Sequence, residues 1–239
     1  MIFQIITIFP HIFDSYFAES LFKRAIEKKL LKINVINLRD FTSDKHKKVD
    51  DSPFGGGPGM VIKLEPVYGA VRALKSKIHP PKFCKIKLGR VKNQKSKIRT
   101  ILFSTRGKIF DQKIARRLSK YDQLILICGR YEGVDERVAK YVADEEISMG
   151  DYVLSGGEIP AMALVEAVSR LKRGFLGKYD SLEDIKGSYP TYTRPPKFFP
   201  KKLRRASLLK GKTKSKSWDV PKVLLSGYHK EIDAWRASH

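Results

Sequence analysis

The sequence predicts an α/β protein built on a largely parallel sheet. Apolar runs of strand length alternate with segments of helical period. The run Gln123 to Cys128 is apolar almost throughout, as a central strand covered on both faces must be. Three glycine-rich loops follow strands or precede helices, where open α/β sheets bind ligands at the carboxyl ends of their strands.

Taken in order, Ile2 to Ile8 is strand-like and is stopped by Pro10. Ser15 to Leu31 keeps Tyr16, Leu21, Ala25, Ile26 and Leu30 at helical spacing, and Ile33 to Leu38 reads as a second strand. Loop character then lasts until Met60. A helix follows over Glu65 to Lys75, and a basic insertion at about 78–98 interrupts as a polar hairpin or disordered segment. The rhythm resumes with a strand at Ile98 to Ser104, a helix at Gln112 to Ser119, the central strand, and a helix at Val134 to Val142. After the glycine-rich turn beyond Ser148, a helix from Glu158 to Leu171 places Ala161, Leu164, Val165, Val168 and Leu171 on one face and closes a first domain at 172. Arg173 to Ser217 is rich in Gly, Pro, Ser and Lys, which favours an extended linker. The tail from Trp218 carries Val223, Leu224, Leu225, Ile232 and Trp235, enough for a helical element that docks on something larger. No internal repeat stands out.

With 239 residues, 42% of them hydrophobic, the chain can bury a substantial core. Its 48 Lys and Arg against 25 Asp and Glu leave a charge of +23, which calls for a polyanionic partner, nucleic acid first. The excess is clustered: no carboxylate lies between Glu65 and Asp111, nor between Asp184 and Asp219, while lysines and arginines crowd both stretches. No apolar run approaches the ~20 residues that cross a bilayer, and the opening strand lacks the basic start of a signal peptide. Cys84 and Cys128 are too few and too far apart for a disulfide scaffold or a zinc site. A cytoplasmic protein without structural metal and without a membrane partner is expected.

The first glycine-rich loop, Phe54 to Met60, puts four glycines within five residues and follows Asp44, His46, Asp50 and Asp51. No Lys-Ser or Lys-Thr pair closes it, so it is not a nucleotide-triphosphate cradle, and so many glycines point to close contact with a partner. The second runs from Cys128 to Glu136. Asp135 and Glu136 read as complements to a helix N-terminus, whereas Arg130, Tyr131 and Glu132 at a strand end would face a crevice. The third, Gly150 to Pro160, leads into the long amphipathic helix.

Together the loops resemble bacterial tRNA (guanine-37-N1)-methyltransferases, the TrmD group of the SPOUT superfamily. Arg39-Asp40-Phe41-Thr42, Val49-Asp50-Asp51, Pro53 through Met60, Gly129 through Glu132, Gly150 through Glu158, Tyr192-Thr193-Arg194-Pro195 and Val223 through Gly227 stand in the family order, over nearly the whole chain apart from the two basic stretches. The resemblance implies a SPOUT-type parallel sheet with a C-terminal trefoil knot in the catalytic domain, plus a small, mostly helical C-terminal element. It divides the chain into a methyltransferase domain at 1–172, a linker at 173–190 and a truncated basic RNA-binding element at 191–239. It implies S-adenosylmethionine as donor, held by Phe103, Ser104, Gly107, Tyr131, Gly133, Met149, Gly150, Tyr152, Leu154, Gly156, Gly157 and Pro160.

By the same resemblance Asp184 removes the N1 proton of guanine and Arg170 stabilises the charge developing on O6, the two groups this reaction needs. Glu132 orients the substrate or a magnesium ion, magnesium dependence being a family trait. Asp50, Gly55, Gly57 and Gly59 contact the target guanosine and its neighbour in tRNA. The family also implies a homodimer with a shared active site, the linker of one subunit folding over the donor pocket of the other. The chain departs from the family with Thr105 in place of proline, a shorter stretch from Asp184 to Tyr192, and an early stop after Trp235. Residues alone leave alternatives open: Ser181 to Asp184 also fits a helix capping box, Arg170 also fits a solvated helix position, and a non-enzymatic RNA-binding protein would carry the same basic surface.

Overall fold

The computed structural model describes residues 1–76, 96–176, 189–199 and 217–238. Most of the basic insertion at 78–98, Asp184 and residues 200–216 of the second lysine-rich stretch therefore lie outside the described residues. The chain divides into two compact units, Met1–Tyr179 and Asp180–His239.

In the first unit, β1 (Ile2–Thr7), β2 (Lys32–Asn37), β5 (Ile98–Ile109), β6 (Gln123–Ile127) and β7 (Glu145–Ser148) form one sheet in the order β2-β1-β6-β5-β7, every neighbouring pair parallel. The central strand is β6, which is buried at all five positions. Its side chains alternate: Leu124 and Leu126 join one core, Ile125 and Ile127 the other. Helices α1 (Asp14–Phe17), α2 (Ser20–Glu27), α4 (Gln112–Leu118) and α6 (Glu158–Arg170) cover the first face. The second is covered by α3 (Leu64–Lys75) and α5 (Glu136–Tyr141). In α6 the apolar stripe is as expected, with Ala161, Leu164, Val165 and Val168 fully buried; each of the larger three is worth roughly 1.5–3 kcal/mol of burial. Two residue pairs, Asp50–Asp51 (β3) and Val61–Ile62 (β4), form an antiparallel hairpin around the first glycine-rich loop.

The parallel α/β expectation holds, with three corrections. The single helix expected over Ser15 to Leu31 is broken between Phe17 and Ser20, where Ser20 adopts φ 49. The break resets the helical phase, so Phe17, Phe22 and Ala25 are buried while Tyr16 and Ile26 are exposed. The strand β7 was not expected, because Glu145 and Glu146 disguise it. Glu145 is admitted at the sheet by Arg99 Nε at 2.9 Å and Arg117 Nη2 at 2.6 Å. Finally, β5 continues past Ser104 to Ile109, but Phe103 and Lys108 both pair with Ile147, so the residues between them bulge out of the ladder. Beyond Lys172 the chain stays packed, since Phe175 is buried against Phe22.

The second unit contains a short antiparallel pair, Lys197–Phe198 with Trp218–Asp219, then a helical turn Lys222–Leu225 and a helix His229–Ala237. Tyr192 packs on Trp235 with ring centroids 6.3 Å apart, and Ile232 is buried. No helix among the described residues is long and apolar enough to cross a membrane.

Candidate active site

A cavity of about 550 Å³ opens at the carboxyl ends of β5, β6 and β7. Phe103, Ser104 and Thr105 enter it from the bulge of β5, Gly129 to Val134 from the loop after β6, and Met149, Tyr152 to Gly157 and Pro160 from the loop before α6. Of the residues expected to hold a methyl donor, Phe103, Ser104, Tyr131, Gly133, Met149, Tyr152, Leu154, Gly156, Gly157 and Pro160 line this one space. Gly107 and Gly150 stand just behind it. Gly107 lets β5 cross β7: a Cβ there would lie 2.5 Å from the Ile147 nitrogen. Gly150, at φ 156, leaves room for the Tyr152 ring, 2.5 Å from where a Cβ would sit.

Much of the wall is backbone. Gly157 donates its N–H to the Gly129 carbonyl at 2.9 Å, which joins the second and third loops. A Cβ at Gly157 would lie 2.6 Å from the Cys128 Cα, closer than any side chain tolerates. In the second loop Tyr131 takes φ 60, a left-handed conformation costing a non-glycine residue about 1–2 kcal/mol, and thereby turns Arg130, Tyr131 and Glu132 along the rim. The helix-complement reading of this loop also holds, since the Asp135 side chain accepts the Arg137 N–H at 2.9 Å and caps α5.

Several of the charges around the cavity are paired. Arg106 Nη2 reaches Glu136 at 2.5 Å and lies 4.0 Å from Glu146. The hydrogen bond to Glu136 raises the Arg106 pKa, and the same bond lowers that of Glu136. Beneath the third loop Glu158, 1% exposed, accepts from the Thr7 hydroxyl at 2.7 Å and from Arg130 Nε at 2.8 Å. Sequence reading missed this group; its one signal was a carboxylate at the first position of a helix that a glycine loop introduces. Burial, then the charge of Glu158, pushes the Cys128 thiol well above its usual range, so it stays protonated and inert.

The loop carrying Asp50, Gly55, Gly57 and Gly59 is sewn to the rim of the cavity. Ile62 donates to the Gly133 carbonyl at 3.0 Å, Asp135 to that of Ile62 at 2.9 Å, and Glu132 to that of Met60 at 3.1 Å. Gly59, at φ 80, lies so close to the Glu132 side chain that a Cβ would be 2.5 Å from Cγ. Gly55 and Gly57 face open space and Phe54 is fully exposed. Two of the residues given catalytic roles are not gathered here. Arg170 ends α6, whose first turn walls the cavity, so about 18 Å of helix separates them. Asp184 lies outside the described residues.

Fold and site define an α/β enzyme that holds a small organic ligand among backbone and apolar groups at the carboxyl ends of parallel strands. A family model described as tRNA (Guanine-1)-methyltransferase TrmD matches residues 1–239, and the chain belongs to that family. It is 44% identical over 98% of its length to a protein from Dehalococcoides mccartyi named tRNA (guanine-N(1)-)-methyltransferase, covering 83% of that relative. A protein of the same name from Dictyoglomus turgidum is 48% identical, with 98% and 82% covered. The crystal structure of tRNA (m1G37) methyltransferase from Aquifex aeolicus superposes with a TM-score of 0.71 at 37% identity, over all of this chain and 88% of that one.

Proposed function

We propose that the chain transfers a methyl group from S-adenosylmethionine to N1 of the guanosine at position 37 of tRNA. One observation carries the reading: the ligand-sized cavity of glycine-loop backbone has the Asp50–Gly59 loop fastened to its rim, so a donor and a base can meet at one edge. The residues present fit the donor. It has no phosphate, so backbone groups and an apolar slot suffice, and the volume suits a ligand of its size. S-adenosylmethionine, when bound, supplies an electrophilic methyl carbon whose bond to sulfur breaks as the bond to N1 forms.

The chain's own groups supply the rest. Asp184 takes the N1 proton, Arg170 carries the negative charge developing on O6, and Asp50 accepts from a base edge while Gly55, Gly57 and Gly59 let backbone approach the extruded purine. Because Arg170 stands a helix length from its own cavity, the reading has it, with Asp184, serve the cavity of a second copy. A homodimer with shared active sites follows. Glu132 orients the substrate. Magnesium use belongs to the same reading. Among the described residues no three His, Cys, Asp or Glu side chains cluster, so the ion would take Glu132 and fill its other positions with water and RNA oxygens.

To the fold the reading adds a trefoil knot at the end of the first unit. The close backbone passages at Gly107 and Gly157 support it. It keeps the division into a catalytic domain at 1–172, a linker at 173–190 and a basic RNA-binding element at 191–239, in a cytoplasmic protein. The test is methyl transfer from labelled donor to two tRNA transcripts, one with guanosine at position 37 and one with adenosine there. Label on the first alone, abolished by Asp184→Ala, is expected. Donor binding without label on either transcript would refute the tRNA target.

A further inference from the structure

Glu158 is built into the fold more deeply than a helix-terminal carboxylate needs to be. At 1% exposure it is buried at the first position of α6, and a buried charge contributes little to stability even when well paired. Its partners are committed in one direction. The Thr7 hydroxyl accepts the Phe9 N–H at 2.9 Å and so spends its single proton on Glu158 Oε1. The other carboxylate oxygen takes Nε of Arg130.

Arg130 is in turn held on three sides. Nε lies on Glu158, Nη1 reaches the Ser155 carbonyl at 3.3 Å, and the guanidinium sits 4.9 Å above the Phe9 ring. The space beside it is fitted, because a Cβ on Gly156 would be 2.5 Å from Arg130 Cδ and 2.7 Å from Glu158 Oε2. Among the described residues Nη2 alone of these guanidinium nitrogens has no hydrogen-bond partner, and Arg130 lines the cavity. A planar fork fixed on one edge presents the remaining donors to a ligand with little further loss of freedom.

We propose that Glu158 is a positioning residue for the methyl transfer: through Arg130 it holds a guanidinium edge ready in the cavity, where Nη2 binds an anionic oxygen. This rests on the function proposed above. The oxygen belongs either to the carboxylate of the donor's methionine end or to the guanosine being methylated.

The test uses Thr7, which is 0% exposed and does not line the cavity, so that a loss reaches it only through the groups that hold Arg130: Glu158, and Phe9 whose N–H the same hydroxyl accepts. In the full-length chain, donor dissociation constants, steady-state methyl transfer and melting temperature are compared for wild type, Thr7→Val and Thr7→Ser. Thr7→Val is expected to lower kcat/KM about tenfold, the scale of one charge-assisted hydrogen bond, in protein that remains folded at the assay temperature; Thr7→Ser, which keeps the hydroxyl, restores most of it. A rise in the donor dissociation constant assigns the oxygen to the donor, and a loss confined to the tRNA KM or to kcat assigns it to guanosine. Equal kinetics and binding for Thr7→Val and Thr7→Ser would overturn the proposal, as would a loss matching the unfolded fraction. If the wild type binds donor but transfers no methyl, the functional reading fails instead and leaves the donor carboxylate as the one ligand for Arg130, so that equal donor binding by all three proteins would then refute the role of Glu158.

Discussion

Replacing Gly157 by alanine tests whether backbone contact between two loops makes the donor site. Gly157 has φ −83, which any residue adopts, so the cost is purely one of space. The new Cβ would lie 2.6 Å from the Cys128 Cα and 3.0 Å from the Gly129 nitrogen, whereas carbon atoms rest at about 3.5–4.0 Å. The loops must therefore part by about 1 Å. That opening stretches the 2.9 Å hydrogen bond from Gly157 to Gly129 beyond its useful length. Overpacking of this kind costs about 1–3 kcal/mol, and the lost hydrogen bond about 1 kcal/mol more. At roughly 2–4 °C per kcal/mol for a chain of this size, calorimetry should show the melting temperature of Gly157→Ala lower by about 4–16 °C. Titration with S-adenosylmethionine should show affinity weakened by about tenfold or more, because Gly129 and Gly157 both wall the cavity. A melting temperature and a donor affinity both equal to wild type would mean that the close approach is not part of the site.

Two further outcomes follow from the paired charges and the sewn loop. Burial alone would raise the Glu145 pKa, but hydrogen bonds from Arg117 and Arg99 outweigh it and hold the pKa below its ordinary 4.5. A carboxylate with a depressed folded pKa contributes stability above about pH 4.5 that is lost as pH falls through the folded value. Glu145→Gln should therefore melt a few degrees lower at pH 7, the loss of about 1 kcal/mol, and show a shallower acid limb below pH 4.5. Parallel melting curves against pH for the two proteins would contradict this. Gly59→Ala drives a Cβ into Glu132 at a left-handed φ, so the tRNA KM should rise several-fold while the donor dissociation constant holds. An equal effect on both constants would show that the loop and the donor slot are not separable.

The architecture was legible wherever one residue pattern answered to one packing environment. Gln123 to Ile127 had to be a central strand because nothing in it but the terminal Gln123 could face water, and α6 announced its buried stripe through Ala161, Leu164, Val165 and Val168. The misreadings came where side chains answered to partners far along the chain. Nothing in Glu145 and Glu146 announces a strand, although Glu145, 28 residues from Arg117 in sequence, is within hydrogen-bond distance of it in space. The phase break at Ser20 depends on the packing of Phe17 and Phe22 against each other, ring centroids 5.0 Å apart, which periodicity over Ser15 to Leu31 averages away.

The site divides along the same line. Its glycines were visible as glycines, and the expectation that they mark close contact was sound, but a sequence does not say what each one is close to. Gly157 meets another loop, Gly107 meets a neighbouring strand, and Gly59 meets a side chain, while Gly55 and Gly57 meet nothing. The first three are fixed by the fold of this chain alone and should cost stability when substituted. The last two have no neighbour to offend within it, but at φ 85 and 120 a side chain would strain the backbone by about 1–3 kcal/mol, so substitution there should cost that local strain together with binding of whatever the loop closes upon. Four glycines in one short loop thus serve two different ends, which only the distances separate.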